Sequence, residues 1–179
     1  MQTLRLLPGL ALACFSFVSI FTTHAGPTDN IPQSLNVKGG FVVHLGCGDG
    51  TLTLTLRPNS RFQVHGLDAD PANVSKARAT VRKAGVYGPV SIDRLAGNRL
   101  PYIDGMVNLL VAENLGDVPM DEVTRVLAPK GVAYLKQDGE WKTTVKPRPK
   151  EIDDWTHYLH DAGGNAVAHD TVGGPPRHL

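Results

Sequence analysis

The chain has little of what would tie it to disulfides, to metals or to nucleic acid. It holds two cysteines, Cys14 and Cys47, and no Cys/His pattern with zinc spacing. A disulfide framework and a cysteine-built metal site are therefore both excluded as organising principles. Its 18 basic and 17 acidic residues leave a net charge of +1 with the signs mixed. Without a basic face, nothing favours nucleic acid as a partner. There is no internal repeat, so the 179 residues do not encode a solenoid or a complete propeller. What the length does allow is one ordinary domain with flanking segments.

Apolar runs are also short. The longest, Leu6–Phe21, is interrupted by Pro8 and Gly9 and ends before Thr23-His24-Ala25. About 16 apolar residues are few for a membrane span. Arg5 ahead of the run and small residues at the −3 and −1 positions instead match a secretory signal peptide cleaved after Ala25. The expectation is an exported protein, periplasmic or extracellular, with no stable membrane span once residues 1–25 are removed. Retention of the run as an anchor and lipidation at Cys14 are the alternatives.

The most informative stretch is Phe41-Val-Val-His-Leu-Gly-Cys-Gly-Asp-Gly50. A buried-strand run empties into three alternating glycines, and a helix-length segment follows. At such a strand-to-helix junction backbone N–H groups lie open to a ligand, and glycine removes the Cβ that would block approach. The spacing Gly46-x-Gly48-x-Gly50 lacks the two-residue gap of the dinucleotide fingerprint G-x-G-x-x-G. A second strand-like run, Phe62–Asp68, ends in an acid roughly 20 residues beyond the first glycine, the interval at which a carboxylate meets a ribose diol. Asp70-Pro71 is a helix start and Ala72–Ala84 is rich in helix formers. Met106–Val111 reads as a buried strand, and Glu122–Leu135 as a helix, a Pro-x-Gly turn and another strand.

Taken together, residues 38–137 resemble class I S-adenosylmethionine-dependent methyltransferases, whose first motif is this tighter glycine loop. The implied fold is α/β, a Rossmann-like parallel sheet of about five strands with flanking helices. Strands are expected at 41–45, 62–67, 89–93, 106–112 and 131–136, with helices near 50–57, 71–84 and 119–127. Thr51–Leu56 alternates Thr and Leu as a strand would, but a parallel sheet needs a crossover there, so a helix is expected. Asp138-Gly139 is a turn, after which 140–145 can pair back as a sixth, antiparallel strand.

The resemblance implies S-adenosylmethionine as the small-molecule cofactor. Gly46, Gly48 and Gly50 would give backbone access to its methionine portion, Asp68 would accept from the ribose hydroxyls, and Leu67 or Ala69 would flank the adenine. Cys47 lies within the loop as a small residue suited to a tight turn rather than a nucleophile. His44 stands where the family usually has an acid, and the family's acid after the third strand has only Asp93 to represent it. The usual Asp of the fourth strand is Asn108. Glu113, just after that strand, is the weak candidate for an acceptor-side catalytic role; the acceptor is unspecified.

Organisation beyond that region is sparser. Residues 26–40 read as an irregular lead-in, 41–145 as the Rossmann-like domain, and Lys146-Pro-Arg-Pro-Lys150 as a stiff linker. Residues Asp154–Asp170 with Gly174-Pro-Pro-Arg177 resemble the lead-in of bacterial exported proteins in which a methyltransferase-like domain precedes a β-propeller related to the pyrroloquinoline quinone enzymes. On that resemblance 146–179 is the linker and truncated start of the propeller region, and the missing propeller is a partner of the domain. Trp155 and Tyr158 would dock there. His157 and His160, three apart, lack a companion Cys or carboxylate pattern, so no metal site is read from the sequence. Two readings follow: a methyltransferase of unknown acceptor, and a non-catalytic interaction module preceding a propeller. Export weighs against activity, because S-adenosylmethionine is made and kept in the cytoplasm.

Overall fold

The computed structural model describes residues 30–154, 158–160, 162–164, 167 and 169. The signal-peptide segment, Cys14, Trp155, His157 and His178 lie outside the described residues. Among those described is a six-stranded sheet of order β3-β2-β1-β4-β5-β6. It comprises β1 (Gly40–Leu45), β2 (Phe62–Asp68), β3 (Val90–Arg94), β4 (Val107–Ala112), β5 (Leu127–Gln137) and β6 (Glu140–Val145). The first five are parallel, and β6 returns antiparallel on β5. This is the Rossmann-like sheet the sequence implies, with the sixth strand paired as the Asp138-Gly139 turn requires; Asp138 takes φ 54° and Gly139 φ 83°.

Alternation along β1 divides the core. Val42 faces a layer with Val64, Ile92, Leu109 and Val111, covered by Val74, Ala77 and Val81 of α3 (Pro71–Lys83). Val43 and Leu45 face the other layer, with Leu67, Leu110 and Ala133, covered by Val123 and Val126 of α4 (Met120–Val126). Strands buried on both sides carry continuous apolar runs because each face has its own cover. The short helix α2 (Thr51–Thr55) follows the glycine loop, so the crossover requirement overrides strand propensity there.

Three local features differ from expectation. The lead-in contains a helical turn, α1 (Ile31–Ser34), with Pro32 in its first turn and Ile31 fully buried in the α3-side core. One apolar side chain thus anchors a segment whose composition looks irregular. The 127–131 turn belongs to β5, which starts directly after α4 and pairs Leu127 with Val107 before a bulge. Finally, Lys146, the first residue of the stiff linker, is tied to the sheet: it exchanges backbone bonds with Lys130 and Gly131 (both 2.9 Å), and its Nζ donates to Leu127 O at 2.7 Å.

Among the described residues the connection from β3 to β4 contains no helix, and polar bonds do the fastening. The Arg125 guanidinium reaches Glu122 (2.6 and 2.8 Å), Asp104 and the Tyr102 and Leu100 carbonyls, while Leu100 N donates to Glu122 Oε1 at 2.7 Å. The Arg125 bonds hold the Glu122 carboxyl far below its ordinary range, at about 2. Leu100, 1% exposed, is thereby pressed into the α4-side core.

A Cβ on Gly131 would lie 2.7 Å from Ala128 O and 2.8 Å from Val107 O. Both are backbone atoms in a paired strand and cannot swing away. Gly131→Ala is therefore expected to cost about 1–3 kcal/mol, read as a lower guanidinium midpoint at unchanged m-value.

Candidate functional site

In an open parallel sheet, ligands bind beyond the carboxyl ends of the strands, where the strand order reverses. Here that point lies between β1, which continues toward β2, and β4. The glycine loop sits there. Gly46 and Gly48 take φ 72° and 55°, a region costly for side chains, and nothing lies within 4 Å of a Cβ built on Gly48. Gly46 N and Cys47 N donate to Leu67 O (2.8 and 3.1 Å), which clamps the loop to the end of β2.

Asp68 closes the clamp. Its Oδ2 accepts from Gly48 N at 2.9 Å and its Oδ1 from Asp70 N at 2.9 Å, with the Asn73 amide 3.3 Å from both oxygens. Asp70 in turn caps α3 by accepting from Ala72 N at 2.8 Å. One carboxylate therefore fixes the loop, the end of β2 and the start of α3.

Two clefts flank the loop, and Gly46 lines both. The first, about 230 Å³, is bounded by Leu45, Gly46, Asp68, Ala69, Leu95 and Gly97 and by the loop 114–118 after β4. The second, about 200 Å³, is bounded by His44, Gly46, Cys47, Gly48, Asp49, Leu52 and Glu113. Of the residues singled out in the sequence, Asp68 and Ala69 thus meet in one cleft, and His44, Cys47, Gly48 and Glu113 in the other. Leu67 and Gly50 are not brought to either. The Leu67 side chain is fully buried in the α4-side core. Gly50 caps α2 at φ 83°, and a Cβ there would meet Ala77 of α3 at 3.0 Å, so its bareness serves helix packing.

His44 is 2% exposed and its Nδ1 lies 2.8 Å from Thr53 Oγ1. Burial pushes its pKa down to about 4, against a smaller opposing pull from Asp68, so the ring is neutral near pH 7. A neutral ring does not repel a cationic ligand group, which removes the objection a charged histidine would raise. Burial, with the nearby Asp68 carboxylate, also pushes the Cys47 thiol up to about 12, leaving no thiolate for nucleophilic chemistry.

The two other substituted positions lie elsewhere. Asp93 bonds Arg78 of α3 (2.7 Å) and His65 of β2 (3.1 Å) and lines neither of the two clefts beside the loop. Asn108 sits at the opposite end of the sheet, where its Oδ1 accepts from Phe41 N at 2.8 Å. Reading the sequence missed Leu95, Gly97, Leu115 and Asp117 as cleft residues. The Asn114-Leu-Gly-Asp turn before Val118 was the available signal, since β4 had to end in a loop at the switch point.

Comparison with known proteins follows the same outline. A family model described as a methyltransferase domain matches residues 42–131, half of the chain. A ribosomal protein L11 methyltransferase from Anoxybacillus flavithermus is 31% identical over 98 residues, which is 53% of this chain and 31% of that protein. The Methanococcus maripaludis protein mmp1179, described as a putative S-adenosyl-L-methionine-dependent methyltransferase, superposes with a TM-score of 0.55 at 21% identity over 60% of this chain and 52% of that one. The cyclase SpnF gives 0.54 at 24% identity over 60% and 42%. The chain spans about a third of the curated relative and about half of these structures. At such identities the structural likeness shows the fold alone.

His44 supplies a pH test of the local geometry. As pH falls from 6.5 toward 4, the unfolded chain takes up the imidazole proton before the folded one does, so stability falls across that window and levels below it. The loss attributable to His44 is about 3 kcal/mol. Denaturant melts of the wild type and His44→Gln should therefore converge as pH drops, the variant losing less. From the matched model and the loop that anchors it, the chain belongs to the methyltransferase domain family.

Proposed function

We propose that this domain binds S-adenosylmethionine across the glycine loop and belongs to an exported protein. The observation that carries the reading is the placement of Gly46 between two clefts, one with a carboxylate suited to a ribose diol and one with open backbone and acids. The residues present fit that ligand. Gly48 is bare toward open space, and of the Asp68 contacts the 3.3 Å ones from Asn73 are those a stronger donor can displace. Asp68 would hold the ribose hydroxyls because a carboxylate offers only acceptors, with Leu95 and Ala69 beside the base. Asp49 and Glu113 would face the ammonium end, where neutral His44 adds no opposing charge.

Bound there, the cofactor supplies an electrophilic methyl group on a sulfonium. The protein's part in such a displacement is chiefly positioning, and a proton acceptor is needed only when the methyl acceptor must lose a proton. Glu113 would be the candidate for that; it lines the second cleft, 55% exposed and with Lys136 at 3.9 Å. An ion pair so exposed is weak and leaves the carboxylate available.

A second reading is favoured by the commitment of Asp93 to Arg78 and His65, which leaves the adenine side without the family's acid. On it, the domain is a non-catalytic module at the N-terminus of a protein with a pyrroloquinoline quinone-like propeller. Export supports this reading, since the methyl donor is cytoplasmic; the run Leu6–Phe21 before Ala25 supports export.

Calorimetric titration with S-adenosylmethionine and S-adenosylhomocysteine separates the two. The first expects micromolar binding, weakened about 10- to 100-fold in Asp68→Asn by loss of charge-assisted bonds. No heat and no thermal shift at millimolar ligand leaves only the module. Fusion of residues 1–30 to an enzyme active only in the periplasm should yield activity; a silent fusion overturns export.

A further inference from the structure

Beyond the sheet, the chain brings three chemically matched side chains together from distant positions. Asp153 Oδ2 lies 2.6 Å from His160 Nε2 and 3.2 Å from His169 Nδ1. One ligand atom from each of the three residues falls within 4.8 Å of the others. The two imidazole rings meet edge to face with centroids 5.1 Å apart. We propose that Asp153, His160 and His169 form a binding site for a divalent transition ion of the zinc class.

The chemistry of the set selects this class. Two neutral imidazoles and one carboxylate are borderline donors, matched to zinc and its neighbours, whereas magnesium and calcium take sets made of oxygen. The size is also right. Ligand bonds of about 2.0–2.2 Å around a tetrahedral ion place donor atoms a little over 3 Å apart. The Asp153–His separations of 2.6 and 3.2 Å need change by only fractions of an ångström, and the two imidazole nitrogens, within 4.8 Å of each other, draw together as the direct N–H···O bonds give way to bonds through the ion.

The cluster is held from outside as well. Arg148 pairs with Asp154 and donates to Asp153 O at 2.9 Å, and Lys146 ties the same segment to β5. His169 N also donates to Asp153 Oδ2 at 2.8 Å, a bond an ion need not break. Partners of this kind orient a carboxylate and a ring before any ion arrives. His160 takes φ 57°, and its side chain is 7% exposed where that of His169 is 70% exposed. The cluster therefore has one buried ligand and one that solvent reaches.

No such signal is legible in the residue order, because the spacing Asp-x6-His-x8-His follows no zinc pattern and the visible pair was His157 with His160. The test uses the tag-free, full-length chain stripped with chelator and titrated with Zn2+ and with Co2+. The expected result is one ion per chain, with visible Co2+ ligand-field absorption. Asp153→Asn, His160→Asn and His169→Gln should each weaken binding more than about 100-fold, since partners behind metal ligands alone are worth about 10- to 100-fold. Paramagnetically shifted imidazole protons in the Co2+-loaded wild type give an assignment that needs no variant to fold. No uptake at millimolar ion, equal affinity in all three variants, or shifted signals from other histidines would overturn the site.

Discussion

A single carboxylate holds the functional end of this domain in shape. Asp68 accepts from Gly48 N and Asp70 N, and through Asp70 it reaches the first turn of α3. Without it the amides of Gly48 in the loop and of Asp70 ahead of α3 would each need another partner. The same group faces the first cleft. Scaffold and candidate ligand contact are therefore one residue, and any substitution there acts on both at once.

The sheet was legible because its signals are local and repeated. Continuous apolar runs, a Pro-initiated helix and two Gly-containing turns agree with one topology, and such agreement across levels is strong information. Even α2, whose Thr/Leu alternation points the wrong way, follows from the parallel neighbours on either side. The site was legible only in part. A motif places Gly46, Gly48 and Asp68 together, but it cannot say which glycine opens to solvent and which makes room for a helix. Gly50 looks identical to Gly48 in sequence, yet it faces Ala77 rather than a cleft. Leu67 and Ala69 are neighbours of the same acid, but period two would give them one face; they part because β2 ends at Asp68, leaving Leu67 in the core and Ala69 exposed beside the first cleft.

What the sequence could not supply was long-range. Asp117 and Gly97 enter the cleft because the segments after β4, beside β1, and after β3, beside β2, end on the same side of the sheet, a consequence of sheet order rather than of any motif. The fastening of residues 100–104 by Arg125 and Glu122 likewise joins segments more than twenty positions apart. The Asp153, His160 and His169 cluster is the extreme case, since its members obey no helical or strand period. Similar proteins show the limit from the other direction: a methyltransferase and a cyclase superpose on this sheet about equally well. Architecture narrows chemistry without choosing it.

The bend at Gly50 against Ala77 has one more consequence. Because α3 sets that bend by steric fit, the loop has its curvature before anything reaches it. A molecule entering beside the loop spends little on ordering this bend, so that part of its affinity reports contacts rather than rearrangement. Such rigidity also makes the hollow unforgiving, for it leaves little freedom to reshape around a molecule of a different outline.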